Sequence, residues 1–223
     1  MYWWRRLAAL ALLAVAVAAV VRACAREESP SETALTREIT PSELEVAPSQ
    51  PVDMSIPAIG LTAPFDTVDC RVRDGALDPA TLDKACAYTA PDRPYQLPGS
   101  DSSDIVVIAG HASTGRSAVF DLLYDGSTNH HTISTGDALY LRTQSSGKAW
   151  LLYRATDLHD PVKQALADDP SVWGSGPMPG RLLTVSCIQP ATPLSESVRN
   201  VVIGWQFESV VAHPPASAPT RSP

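Results

Sequence analysis

Short apolar runs rich in β-branched residues, each ended by glycine, proline or a polar turn, set the limits on what this chain can fold into. The run Ile105-Val-Val-Ile-Ala109 is continuous and opens directly into Gly110-His111. A run that brief and uninterrupted is the pattern of a fully buried strand. A second run, Arg181-Leu-Leu-Thr-Val-Ser-Cys187, ends in a cysteine, and residues 198–211 resume the pattern. Residues 138–142 and 149–155 flank Thr-Gln-Ser-Ser-Gly-Lys, a hairpin-like connection. Residues 54–61 alternate well enough for a strand, and Pro57 places it at a sheet edge. Helical patterns are short, over 79–86, 117–124 and 162–167. Many short strands with few helices indicate a closed β-barrel or a sandwich.

The ends of the chain do not share this pattern. Arg5 and Arg6 precede an unbroken apolar stretch over 7–21, and Trp3 and Trp4 lie before them. Basic residues ahead of an apolar core mark an export signal or membrane anchor with the arginines on the cytoplasmic side. The stretch is shorter than the ~20 residues that span a bilayer comfortably. Ala23-Cys24-Ala25 also reads as a cleavage site, so the chain is either anchored or released near Ala25. Acylation of Cys24 is disfavoured by Arg22 close before it. Residues 26–53 are rich in Glu, Ser, Thr and Pro and read as a disordered spacer, and 213–223 as a disordered tail. One domain of ordinary size, over 54–212, remains. The formal charge is −7, and no run of Lys or Arg exists, which argues against a nucleic-acid partner.

Export governs the cysteines. With Cys24 in the targeting segment, Cys70, Cys86 and Cys187 remain, and in an oxidising compartment two of them are expected to pair. Cys70 and Cys86 flank a polar loop containing Asp74-Gly75 and Asp78-Pro79, which suits a short bridge. Cys187 is then the odd thiol, either a buried inert side chain or a reactive one. Among the five histidines, His213 falls in the tail, His130 and His131 in a polar loop, and His159 at a turn before Asp160-Pro161. The loop pair lacks further ligands at useful spacing for a metal. His111 differs, because it stands at the exit of a buried strand behind Gly110.

Taken in order, Ile56-Pro-Ala-Ile-Gly60, Ala63-Pro64, Val106-Val-Ile-Ala-Gly-His111, Ala118-Val-Phe-Asp-Leu122, Leu183-Thr-Val-Ser-Cys187 and Arg199-Asn-Val-Val202 resemble the sortases, most closely their class E/F-like actinobacterial branch. The resemblance covers residues 56–211. It implies a mainly β fold, a closed eight-stranded sortase-type barrel with a few short helices. It implies a membrane-anchored cysteine transpeptidase that cleaves an LPxTG- or LAxTG-like sorting signal between Thr and Gly. The acyl group passes through a thioester to a cell-wall peptidoglycan precursor or pilin amine. On this resemblance Cys187 is the nucleophile, His111 the general acid and base, and Arg199 the oxyanion or substrate stabiliser, with no cofactor and no metal. Arg199 cannot act as a base, because a guanidinium stays protonated. The chain departs from the pattern at Ser186, where threonine is more usual, and at Ile188-Gln189-Pro190, where class F members often carry glycines.

Two other readings compete. L,D-transpeptidase-like enzymes also use an exported cysteine with histidine and arginine, but resemble Ser-His-Gly-Cys-Xaa-Arg around the nucleophile, unlike Thr-Val-Ser-Cys187 here. The second is a non-catalytic exported β-domain for binding or adhesion, a degenerate sortase with an inert Cys187. A papain-like order, cysteine early and histidine far downstream, is the reverse of this chain's.

Overall fold

The computed structural model describes residues 44–90, 95–190, 195 and 197–215, and among these it has twelve strands, the longer ones where the apolar runs lie. They are β1 (Pro51–Ile56), β2 (Leu61–Pro64), β3 (Arg71–Arg73), β4 (Ala76–Asp78), β5 (Cys86–Tyr88), β6 (Val106–Ala109), β7 (Tyr124–Asp125), β8 (His130–His131), β9 (Ala138–Thr143), β10 (Trp150–His159), β11 (Arg181–Cys187) and β12 (Asn200–Val211). Eight of them form one sheet in the order β2-β1-β9-β10-β12-β11-β6-β5. Its pairs are antiparallel except β6 with β11, which run parallel. Two register shifts between β10 and β12 interrupt the ladder, and such bulges increase local twist and help the sheet curl.

The fold is therefore mainly β with eight strands in one curled sheet, as expected. Closure is narrow. The outer strands β2 and β5 meet through a Phe65–Ala85 bridge just beyond their ends, with Asp66 N donating to Ala85 O at 2.8 Å and Ala85 N to Pro64 O at 2.9 Å. Those bonds occupy edge groups that would otherwise invite another chain.

The inner face of the curl holds the main core, including Met54, Ile108, Leu141, Tyr153, Leu182 and Trp205. The one polar hydrogen of Trp205 is satisfied, Nε1 donating to Thr184 Oγ1 at 3.1 Å. On the outer face Val107, Leu183, Val185 and Val202 are covered by Val172 and Trp173. Burial on both faces explains why β6 and β11 read as continuous apolar runs instead of alternating ones. Their outer cover is two single-turn helices, Lys163–Leu166 and Pro170–Trp173.

Several local expectations change. The single edge strand over 54–61 is a hairpin: Pro57 starts a 3-10 turn over Pro57–Ile59, and Gly60 takes φ 64°, a left-handed conformation that suits glycine. The helix over 79–86 does not form, because Ala85 bridges Phe65 and Cys86 pairs with Ala109 in β6. The helix over 117–124 shrinks to a 3-10 turn, Asp121–Leu123, and Tyr124 begins β7. The polar loop after Cys70 is a β3–β4 hairpin whose turn has positive φ at both Asp74 (51°) and Gly75 (77°), the signature of a type I′ turn. Residues 44–53, assigned by composition to the spacer, belong to the fold: Val46 is buried, its N–H donates to Ser100 Oγ at 2.8 Å, and β1 starts at Pro51. Among the described residues no helix is long and apolar enough to cross a membrane, and the expected anchor over 1–25 lies outside them.

Candidate active site

Parallel pairing of β6 and β11 fixes the site. Val185 lies opposite Ala109 in the register, so two residues further along each strand come Cys187 and His111. Side chains alternate along a strand, so both residues continue the outer face of Val185 and Ala109. The pairing persists past β6: Gly110 N donates to Val185 O at 3.2 Å, and Ser186 Oγ donates to Gly110 O at 2.8 Å. A Cβ on Gly110 would come within 2.6 Å of the Phe120 ring, so this position accepts only glycine while that ring stays in place.

Cys187 and His111 line one cleft of about 390 Å³, which also takes in Leu77, Tyr88, Tyr95, Leu166 and Trp173. Its aromatic wall is continuous, with ring centroids 5.7 Å apart for Tyr88–Tyr95 and 5.4 Å for Tyr95–Trp173. Cys187 also borders a smaller, more polar hollow of about 270 Å³ lined by Ser113, Asp121, Tyr124, Ser127 and Gln189. The thiol thus stands between two recesses of different character.

The His111 ring is held by the main chain, with Nε2 2.9 Å from the carbonyl oxygen of Pro79. A carbonyl only accepts, so Nε2 carries a proton, and in the neutral ring Nδ1 is the basic nitrogen. The loop after His111 is ordered by Asp121, whose carboxylate accepts from Ser113 N and Ala118 N, each at 2.7 Å. Phe120 N also donates to His111 O at 2.9 Å.

Arg199 is placed differently. Asn200 lies opposite Cys187 in the β11–β12 register, and it, not Arg199, lines the larger cleft. The Arg199 guanidinium pairs with the Asp160 carboxylate, donates to Asn129 Oδ1 at 2.8 Å and Tyr124 Oη at 3.2 Å, and lies 5.8 Å from the Tyr124 ring centre. Tyr124 is therefore the side chain shared by Arg199 and the smaller hollow. The structure brings together two of the three expected residues, and the guanidinium of the third meets the site's lining through Tyr124.

Cys70 and Cys86 form the expected disulfide, and among the described residues Cys187 is the free cysteine. The bridge packs with Ala109, two residues before His111. His131, expected on the surface, is half-buried with its ring edge-on to Tyr124 at 5.1 Å. Burial pushes its pKa down, and the charges of His159, Arg199 and His130 act in the same direction. His159 is likewise not idle, with Nε2 2.7 Å from Asp157 Oδ2.

Sequence reasoning missed Asp121, Tyr124, Gln189 and Asn200. Asp121 bonds within its own loop, to Ser113 N and Ala118 N, whereas the partner of Gln189, Ala112, lies 77 residues away and leaves no local signal.

No protein-family model and no curated protein matches the sequence. Solved structures do. The chain superposes on the SrtA sortase from Actinomyces oris with a TM-score of 0.50 at 16% identity, covering 79% of this chain and 93% of that one. The fold is that of the sortases. Sortase A from Corynebacterium diphtheriae aligns at 16% identity and TM-score 0.48 over 73% of this chain, which spans 62% of that structure. A pilus-related sortase C of Group B Streptococcus aligns at 18% identity and TM-score 0.48, covering 74% of this chain and 70% of that one. At these identities the sortase likeness is one of fold.

Proposed function

We propose that this chain is a sortase-type cysteine transpeptidase acting on the C-terminal sorting signals of secreted proteins. One placement carries the reading: an unpaired thiol and an imidazole line the same cleft at the ends of two parallel strands. The Cys187 thiolate attacks the carbonyl carbon of the signal's threonine, and a C–S bond forms. The C–N bond to glycine breaks as the His111 imidazolium gives a proton to the departing amine. An incoming amine then attacks the thioester, His111 takes its proton, and the thiolate leaves. No cofactor takes part in these steps.

Arg199 supplies charge to the developing oxyanion after exchanging Asp160 for the substrate carbonyl. The ion pair itself holds the guanidinium weakly, since an exposed pair is worth about 0 to 1 kcal/mol, and the exchange also releases the bonds to Asn129 and Tyr124. Both partners of the ion pair are partly exposed, at 28% and 47%.

The finer reading follows the same line. The signal is LPxTG- or LAxTG-like, the acceptor a peptidoglycan-precursor or pilin amine, and the branch class E/F-like. Residues 1–25 anchor the enzyme with its domain outside the cytoplasm, or are removed near Ala25. The aromatic wall of the larger cleft suits an apolar peptide, and the two recesses leave room for donor and acceptor on either side of Cys187.

The rival reading, an exported β-domain without catalysis, draws on one observation: Arg199 is engaged elsewhere and lines neither recess. Incubation with sorting-signal peptides and a small amine separates the two. Turnover that disappears in Cys187→Ala supports the enzyme, and absence of turnover in the wild type supports the binding domain.

A further inference from the structure

Gln189 is the residue that the sequence marks as a departure and that the proposed chemistry leaves without a task. Its side chain crosses from the end of β11 to the His111 loop, Nε2 donating to the Ala112 carbonyl at 2.6 Å. Ala112 directly follows His111. On the other side of the histidine, Gly110 O accepts from Ser186 Oγ at 2.8 Å. The main chain flanking His111 is thus held on both sides by side chains flanking Cys187. Within the loop Phe120 N donates to His111 O and Ser113 N to Asp121 Oδ1, and the His111 ring itself lies against the carbonyl of Pro79.

Gln189 is itself well fixed. Ile188 before it is buried, and its N–H donates to Arg199 O at 3.0 Å. The Gln189 carbonyl lies against Gly126 so closely that a Cβ there would come within 2.2 Å of it. A side chain rooted at a pinned backbone transmits position instead of yielding. From this we infer that Gln189 is a positioning residue, setting the distance between the Cys187 thiol and the His111 ring through the Ala112 carbonyl. The inference rests on Cys187 and His111 acting as a pair, as in the function proposed above.

The test reads the coupling of the two groups first and turnover second. Cys187 is alkylated with iodoacetamide across pH 5 to 9 in the full chain, as wild type, His111→Ala, Gln189→Ala and Gln189→Glu, with melting temperatures recorded. The wild-type profile carries an inflection from His111 that His111→Ala removes. Gln189→Ala moves the profile toward that of His111→Ala while the melting temperature stays near wild type. In Gln189→Glu an ionised carboxylate faces the Ala112 carbonyl with no proton to donate. Its profile matches Gln189→Ala at high pH and returns toward wild type as pH falls and the carboxyl protonates.

With a sorting-signal peptide, Gln189→Ala lowers kcat by roughly 10- to 100-fold with little change in KM, the scale expected when a reacting pair is displaced by about 1 Å. A wild-type alkylation profile in Gln189→Ala overturns the inference, as does a wild-type profile that His111→Ala leaves unchanged. Equal loss in both Gln189 variants at every pH, with lowered melting temperatures, also overturns it in favour of a structural role. The alkylation arm needs no peptide. Failure of every peptide to react therefore counts against the proposed function alone.

Discussion

His111 is tied to Pro79 by the ring nitrogen Nε2, 2.9 Å from the carbonyl oxygen. Pro79 immediately follows the β3–β4 hairpin, so the imidazole takes its orientation from a segment outside β6 and β11, the strands that lead to His111 and Cys187. The geometry fixes which nitrogen handles the proton. We expect neutral His111 to be the Nε2–H tautomer, with Nδ1 exchanging protons in the cleft. Nitrogen-15 NMR of the labelled histidines checks this, and an Nδ1–H tautomer would reverse the assignment. His111→Gln is expected to lower turnover by about 10²- to 10⁴-fold, the range for a lost general acid–base group.

The Cys70–Cys86 bridge encloses the β3–β4 hairpin and ends directly opposite Ala109 in β6. Its sequence separation is 16, and a loop of that size stabilises by about 3 kcal/mol in the chain-entropy account. The double variant Cys70→Ala/Cys86→Ala should therefore show a lowered urea midpoint. Its turnover should also fall, because Pro79 is no longer held near His111. Unchanged midpoints would show that packing alone holds the hairpin.

How far the site was legible follows from where each partner sits. Cys187 and His111 could be read because each ends an apolar run, and two runs that are buried on both faces tend to pair. The barrel strands were legible for the same reason. The helix expected over 79–86 was not excluded by any local signal. It lost to contacts made at a distance, the Phe65–Ala85 bridge and the pairing of Cys86 with Ala109. The engagement of Arg199 was illegible in principle, since Asp160, Asn129 and Tyr124 lie 39, 70 and 75 residues away. The helix Pro170–Trp173 did leave a signal, Asp169-Pro170, in which the carboxylate caps Ser171 N and proline occupies the first turn.

The largely buried Arg181 makes a two-pronged pair with Asp157, Nη1 to Oδ1 at 2.9 Å and Nη2 to Oδ2 at 2.7 Å. Burial pushes the Asp157 carboxyl up, but hydrogen bonds from Arg181, Thr156 and His159 outweigh it and hold the group well below the usual carboxylate range. A depressed folded pKa contributes stability above the unfolded value, near 3.9, and that stability is lost as pH falls through the folded value. Asp157→Asn should cost about 3 kcal/mol at pH 7, the low end for breaking a buried pair, because Asp157 is 30% exposed. The difference from wild type should shrink below about pH 4 in urea melts. A gap constant down to pH 2 would assign the loss to packing. Gly204→Ala should disturb the same pair, since a Cβ there would lie 2.3 Å from Asp157 Oδ2.

Arg199 tests whether its place outside the cleft is a resting state. Arg199→Ala should lower acylation by about 10²- to 10³-fold if the guanidinium reaches the oxyanion. Asp160→Asn, which weakens the competing pair, should leave acylation equal or faster. Single-turnover rates decide, and a slowdown of similar size in both variants would make the ion pair itself the required element.

The account stands on a thioester at Cys187, and mass spectrometry of the intact chain after brief exposure to LPxTG- and LAxTG-like peptides looks for it directly. The predicted result is an added mass equal to the peptide up to its threonine, mapped to Cys187, discharged by hydroxylamine and absent in Cys187→Ala. Product formation that persists in Cys187→Ala, or an acyl group mapped to any other residue, would contradict the account.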